Sequence, residues 1–181
     1  MDFMTGVSLN LKPFKNRGGK LIISSSVNDG IFSGASIARW YRLMNREMGG
    51  KADDFARLFM VPNMGHCGGG PATNDFAVNE LNAIIAWVEK GAAPERIVAA
   101  NHNTSSPFPS GGLFDFRIAQ NFPANGTRPL CPYPQIPRYK GAGVTNDAAN
   151  FACVGDLNRF KFDDNDAADD DDGLDHGRDH R

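Results

Sequence analysis

Two residues in this chain are of types that can do chemistry together, an aspartate and a histidine placed 66 − 29 = 37 positions apart. His66 lies in the stretch Phe59-Met60-Val61-Pro62-Asn63-Met64-Gly65-His66-Cys67-Gly68-Gly69-Gly70-Pro71. Arg57 to Pro62 contains a short apolar run bounded by turn formers, which reads as a buried strand. The glycines after His66 let the backbone turn sharply and approach another group closely. Asp29 lies in the turn signal Asn28-Asp29-Gly30, just beyond a second strand-like run, Lys20 to Val27. A histidine alone in such a loop more often just hydrogen-bonds the chain around it. With an aspartate past a neighbouring strand, the two side chains can meet at one sheet edge, where α/β enzymes place their chemistry. An aspartate that holds a histidine in one tautomer is two-thirds of an acyl-transfer triad.

The remaining third is a nucleophile, which in α/β-hydrolases precedes the acid on a Gly-x-Ser-x-Gly elbow. No such elbow precedes Asp29. Gly34-Ala35-Ser36-Ile37-Ala38 imitates the pattern but follows the acid and falls at the start of a helix. Ser24, Ser25 and Ser26 precede Asp29 but share its strand and lack the glycines. A zinc site from His66, Cys67, Cys131 and Cys153 lacks paired ligands close in sequence. Asp169 to Gly173 is similar to a calcium loop, but Ala168 would occupy the first ligand position, so a solvated acidic tail is the better reading.

The elements that position Asp29 and His66 follow from periodicity. Between the two strands, Ser33 to Met48 reads as a helix with Ile37, Tyr41 and Met44 as its apolar stripe and Trp40 and Leu43 beside them. Ser33 serves as N-cap and Gly49-Gly50 end the helix. After His66, a helix from about Thr73 to Lys90 has Val78, Leu81, Ile85 and Val88 as its expected buried seam, with Ile84 and Trp87 alongside. Thr73 or Asn74 can cap it, and Pro94 stops it. Residues 97–100 suit a short strand. Strand, helix, strand, helix with short loops predicts a parallel α/β sheet. Residues 1–16 read as a lead-in with little periodic structure, and 101–150 as a long surface excursion. The chain has 181 residues and a net charge of −2, yet nine aspartates fall within 163–181, leaving a mildly basic body. Residues 155–181 are expected to be a disordered acidic tail. The scattered lysines and arginines form no nucleic-acid stripe, no apolar run reaches membrane-span length, and no signal peptide is visible.

Several motifs together resemble the C-terminal part of the tannase and feruloyl esterase family. They include Gly18-Gly19-Lys20-Leu21-Ile22, Trp40-Tyr41, Arg57-Leu58-Phe59-Met60-Val61-Pro62, Met64-Gly65-His66-Cys67 and Gly69-Gly70-Pro71. Ala86-Trp87-Val88-Glu89-Lys90-Gly91, Arg128-Pro129-Leu130-Cys131-Pro132-Tyr133-Pro134, Tyr139-Lys140-Gly141 and Asn146-Asp147-Ala148-Ala149-Asn150-Phe151 continue the likeness, which covers roughly residues 17–154. The resemblance implies a secreted or periplasmic serine carboxylesterase on an α/β-hydrolase fold that acts on esters of aromatic acids. It implies Asp29 as triad acid, His66 as general base, and a disulfide between Cys131 and Cys153. It leaves Cys67 unpaired, since its family partner lies beside the nucleophilic serine. No cofactor is implied among these residues, because the family's calcium site belongs to its lid.

The chain departs from the family in lacking that serine, the oxyanion-hole backbone and the lid, and in having Ser25-Ser26 where a His-Gly pair is usual. The expectation is therefore that residues 17–154 are the C-terminal part of a catalytic domain, carrying acid and base without the nucleophile and inactive alone. The alternatives are a non-catalytic module that complements a separate N-terminal chain through an exposed sheet edge, and a degenerate split-gene product.

Overall fold

A computed structural model describes residues 8–27, 29–62, 66, 76–100 and 126–155, excluding the side chains of 76–79. Its elements are α1 (Lys12–Asn16), β1 (Leu21–Ser26), α2 (Gly34–Glu47), β2 (Ala56–Val61), α3 (Phe76–Lys90), β3 (Ile97–Ala100), β4 (Thr127–Leu130), β5 (Ile136–Tyr139) and β6 (Phe151–Val154). Short 3₁₀ turns at Ala52–Asp54 and Ala148–Asn150 lead into β2 and β6. Among the described residues no helix is long and apolar enough to cross a membrane.

β1 and β2 pair in parallel, in a register that sets Ser24 opposite Phe59 and Ser26 opposite Val61. One further bond, from the Val27 amide to the Val61 carbonyl at 3.1 Å, carries the ladder past the last paired residues. The two strands therefore end level with one another. α2 makes the crossover between them, and its start follows the sequence closely. The Ser33 hydroxyl accepts the Ser36 amide at 3.3 Å, satisfying one of the orphan donors of the first turn. Ser33→Ala is expected to lower stability by about 1 kcal/mol, readable as a shifted denaturant midpoint with an unchanged slope. At the other end Gly49 and Gly50 take φ values of 73° and 75°, which L side chains rarely adopt. The stripe of α2 buries Ala38, Tyr41 and Met44 against Phe55, Ala56 and Leu58, and the Tyr41 hydroxyl donates to the Ala56 carbonyl at 3.1 Å. Ile37 and Trp40 pack partly buried at the margin of this cluster.

Three expectations are corrected by the structure. The lead-in forms a helix, α1, started by Pro13, and Leu9, Leu11 and Phe14 pack on the main core. Phe14 meets the Phe55 ring edge-on at 6.3 Å, so this stretch belongs to the folded body.

The sheet is also not parallel throughout. β3 pairs antiparallel with β4, Ile97 opposite Leu130 and Ala100 opposite Thr127. β4 falls inside the stretch read as a surface excursion, yet Pro129 and Leu130 are buried there. The chain leaving β4 then joins β2. Phe59 and Pro132 form an antiparallel bridge, and the Tyr133 amide donates to the Leu58 carbonyl at 2.7 Å. β5 and β6 add an antiparallel hairpin, tied back to this junction by a disulfide between Cys131 and Cys153. The motif Arg128 to Pro134 thus braces the strand that leads to His66. Residues 101–125 and 156–181, including the acidic tail, lie outside the described residues.

The third correction concerns the face of α3. The expected seam points away from the sheet: Leu81 is 58% exposed, Ile85 43% and Val88 61%. The side chain of Val78 lies outside the description, as do Thr73 and Asn74. The inward face is instead Glu80, Ala83 and Trp87, at i, i+3 and i+7. Trp87 is 3% exposed, with Arg57 and Lys20 over its ring at 5.1 and 5.3 Å from the centroid. Such contacts hold an aromatic ring by its negative face in addition to its buried area. Ala83 packs on the cluster of Phe59, Val61, Ile97, Ala99 and Leu130. Small Ala83 lets the helix approach the strands, and Trp87 fills the space beyond it.

Candidate active site

The equal ends of β1 and β2 bring Asp29 and His66 together. Asp29 is three residues beyond β1 and His66 five beyond β2, and His66 Nδ1 lies 3.0 Å from Asp29 Oδ2 and 3.2 Å from Oδ1. A carboxylate has no proton to give, so Nδ1–H donates, and in the neutral ring Nε2 then keeps its lone pair. This is the tautomer a general base requires.

Asp29 is held by its own loop. Its Oδ1 accepts the amides of Ile31 at 2.8 Å and Phe32 at 3.1 Å, an Asx-type turn that fixes the carboxylate relative to the backbone. The Ile31 amide, then His66, hold its carboxyl below the ordinary value of 3.8, against a smaller opposing effect of burial. Asp29 is therefore ionised throughout the neutral range. A depressed folded value means the stability gained from the carboxylate is present above 3.8 and is lost as pH falls through the lower folded value. The Asp29 side chain is 11% exposed and that of His66 26%, so the carboxylate is sheltered and the imidazole reachable. The Phe32 ring stands 5.2 Å from the imidazole at a tilt of 45°.

The serines named as weak nucleophile candidates sit in unlike surroundings. The Ser24 hydroxyl points to Glu80 on α3 at 3.5 Å, and burial raises the Glu80 carboxyl above its usual range. Ser26 is buried at the end of β1, and Ser25 is partly buried. Ser36 is exposed on the first turn of α2. The glycine that completes its false elbow has a packing role: a Cβ on Gly34 would sit 2.5 Å from the Ser26 carbonyl and 3.1 Å from the Met60 methyl. The zinc reading fails because the sulfurs of Cys131 and Cys153 are bonded to one another. No three His, Cys, Asp or Glu among the described residues group to hold a metal. Cys67 lies outside the described residues. A groove of about 670 Å³ contains Arg57, Arg96, Lys140, Asp53 and Glu95 and includes neither Asp29 nor His66. Sequence reasoning missed Ile31 and Phe32 as supports of the pair, although an aspartate two and three residues before free amides is the usual Asx-turn signal.

The family model described as tannase and feruloyl esterase matches residues 1–154. The chain belongs to the tannase and feruloyl esterase family. Among its relatives, the mono(2-hydroxyethyl) terephthalate hydrolase of Piscinibacter sakaiensis is 44% identical over 154 residues, which is 85% of this chain and 23% of that protein. A probable feruloyl esterase of Arthroderma benhamiae is 32% identical, covering 84% of this chain and 26% of its own length. The solved structure of feruloyl esterase B from Aspergillus oryzae superimposes with a TM-score of 0.62 at 28% identity, over 81% of this chain and 29% of that one. These neighbours are of the α/β-hydrolase type, and the parallel β1–α2–β2 unit of this tannase-family chain is such a unit. The chain spans about a quarter of the length of the curated relatives it matches.

Proposed function

We propose that this chain carries the acid and the base of a serine carboxylesterase that cleaves esters of aromatic acids, the nucleophile being supplied by a part of the fold outside these residues. In that reading residues 1–154 are the C-terminal part of the catalytic domain and 155–181 an acidic tail. The serine hydroxyl attacks the ester carbonyl as His66 Nε2 takes its proton. The tetrahedral intermediate collapses as His66 returns that proton to the departing alkoxide, and water repeats the cycle on the acyl-enzyme. Asp29 orients His66 and stabilises the imidazolium. The observation that carries this reading is the 3.0 Å contact from His66 Nδ1 to a carboxylate already fixed by two backbone amides. Names of the relatives support aromatic esters as the substrate class. Secretion is supported by the Cys131–Cys153 disulfide, which an oxidising compartment preserves.

The direct test is turnover of methyl ferulate, methyl gallate and mono(2-hydroxyethyl) terephthalate. The purified 181-residue chain is expected to show none above buffer. Turnover returns when the rest of a tannase-type fold is supplied. Hydrolysis by the chain alone that vanishes with Ser36→Ala would overturn the assignment of the nucleophile.

A further inference from the structure

α3 is apolar on two faces, and only one of them is covered. Its inner face is complete: Trp87 lies under two cations, Ala83 packs on the β-strand cluster and Glu80 meets Ser24. Its outer face carries Leu81, Ile85 and Val88 at i, i+4 and i+7, a row spanning about 10 Å of helix, all in water. α2 differs. Beside its buried stripe it presents Ser36, Arg46 and Glu47 to solvent, the ordinary pattern of a surface helix. A helix apolar on opposite faces belongs between two layers. The sheet stops in a similar way, for no described strand runs along the side of β1 away from β2, and a bare edge of that kind is normally paired or shielded.

We propose that Leu81, Ile85 and Val88 form the seat on which the nucleophile-bearing remainder of a tannase-type fold docks, whichever polypeptide carries it. This rests on the proposed function above. The occupant is chosen by size. The matched part of this chain covers only 29% of the solved feruloyl esterase B, which shares its fold at a TM-score of 0.62, and 23% of the 44%-identical relative. A second copy of this chain would cover the stripe but would not supply the parts of the relatives that lie outside the match.

The test co-expresses the full 181-residue chain with the nucleophile-bearing remainder of the Piscinibacter sakaiensis relative. Assembly is read by co-elution and mass, contact by amide exchange along α3, and function by hydrolysis of mono(2-hydroxyethyl) terephthalate. The expected result is a one-to-one complex with α3 newly protected. Ile85→Asp and Val88→Asp should weaken it at least a hundredfold while circular dichroism stays unchanged. Val144→Asp, an exposed apolar position between β5 and β6, should leave it intact. Equal binding by the wild-type and Ile85→Asp chains would overturn the proposal. So would no complex with either, or a homodimer of this chain alone that Ile85→Asp dissolves. A stripe-dependent complex without hydrolysis would keep the docking seat and remove the catalytic reading. Hydrolysis indifferent to the stripe would do the reverse.

Discussion

In the completed enzyme, His66→Ala is expected to lower kcat by about 10⁵- to 10⁶-fold, the loss seen when a triad's base is removed and only binding and oxyanion effects remain. Asp29→Asn should cost about 10⁴-fold, for a reason the local geometry makes specific. The asparagine carbonyl can still accept the Ile31 and Phe32 amides, so the loop keeps its shape. Its amide would donate to His66 Nδ1 where the carboxylate accepts, which drives the ring proton to Nε2 and removes the lone pair that the serine needs. Asp29→Asn therefore separates the two roles of the residue: a large fall in kcat with little change in melting temperature. Asp29→Ala loses both, since the two amides are left without their acceptor. Steady-state kinetics with thermal melts on the three variants decide the matter. A His66→Ala enzyme within tenfold of the parent would end the triad reading.

Removing the Cys131–Cys153 disulfide is expected to lower stability by about 3 kcal/mol on the chain-entropy estimate for a loop of this size. The two cysteines are 22 positions apart, so their link removes much freedom from the unfolded chain. For a folded body of this size the loss corresponds to a fall in melting temperature of roughly 10 °C. It should also reach the site. Cys131 adjoins Pro132 and Tyr133, which are joined to β2 at Phe59 and Leu58, and the Tyr133 hydroxyl accepts a bond of 2.8 Å from Arg42 on α2. Loosening that junction loosens the strand that leads to His66. Melting curves of the wild type, the wild type in reductant, and the Cys131→Ser/Cys153→Ser variant measure the effect. A shift of less than about 2 °C in the latter two would contradict an entropic role for a loop of this length.

The parts of this protein legible from the sequence are those whose cause is local. Leu21-Ile22-Ile23 and Leu58-Phe59-Met60-Val61 are strands because their apolar, partly β-branched residues have no other stable burial, and turn formers bound them. Ser33 and Gly49-Gly50 mark the ends of α2 through chemistry carried by those residues themselves. Asp29 and His66 could be named because each falls just past such a strand, and a single crossover helix makes parallel neighbours the expected arrangement.

What the tertiary structure decided has causes far apart in the chain. Residues 127–130 become a strand only because 97–100 offer a partner, and Pro129 there gave a local signal against it. α1 is five residues long and would not persist alone; its place depends on Phe14 meeting Phe55, forty-one positions away. The orientation of α3 is the sharpest case. Its sequence is apolar on both faces, so periodicity cannot choose between Leu81-Ile85-Val88 and Ala83-Trp87. The choice is made by packing: Trp87 is buried with Lys20 and Arg57 over its ring, and Ala83 fits against the strand cluster.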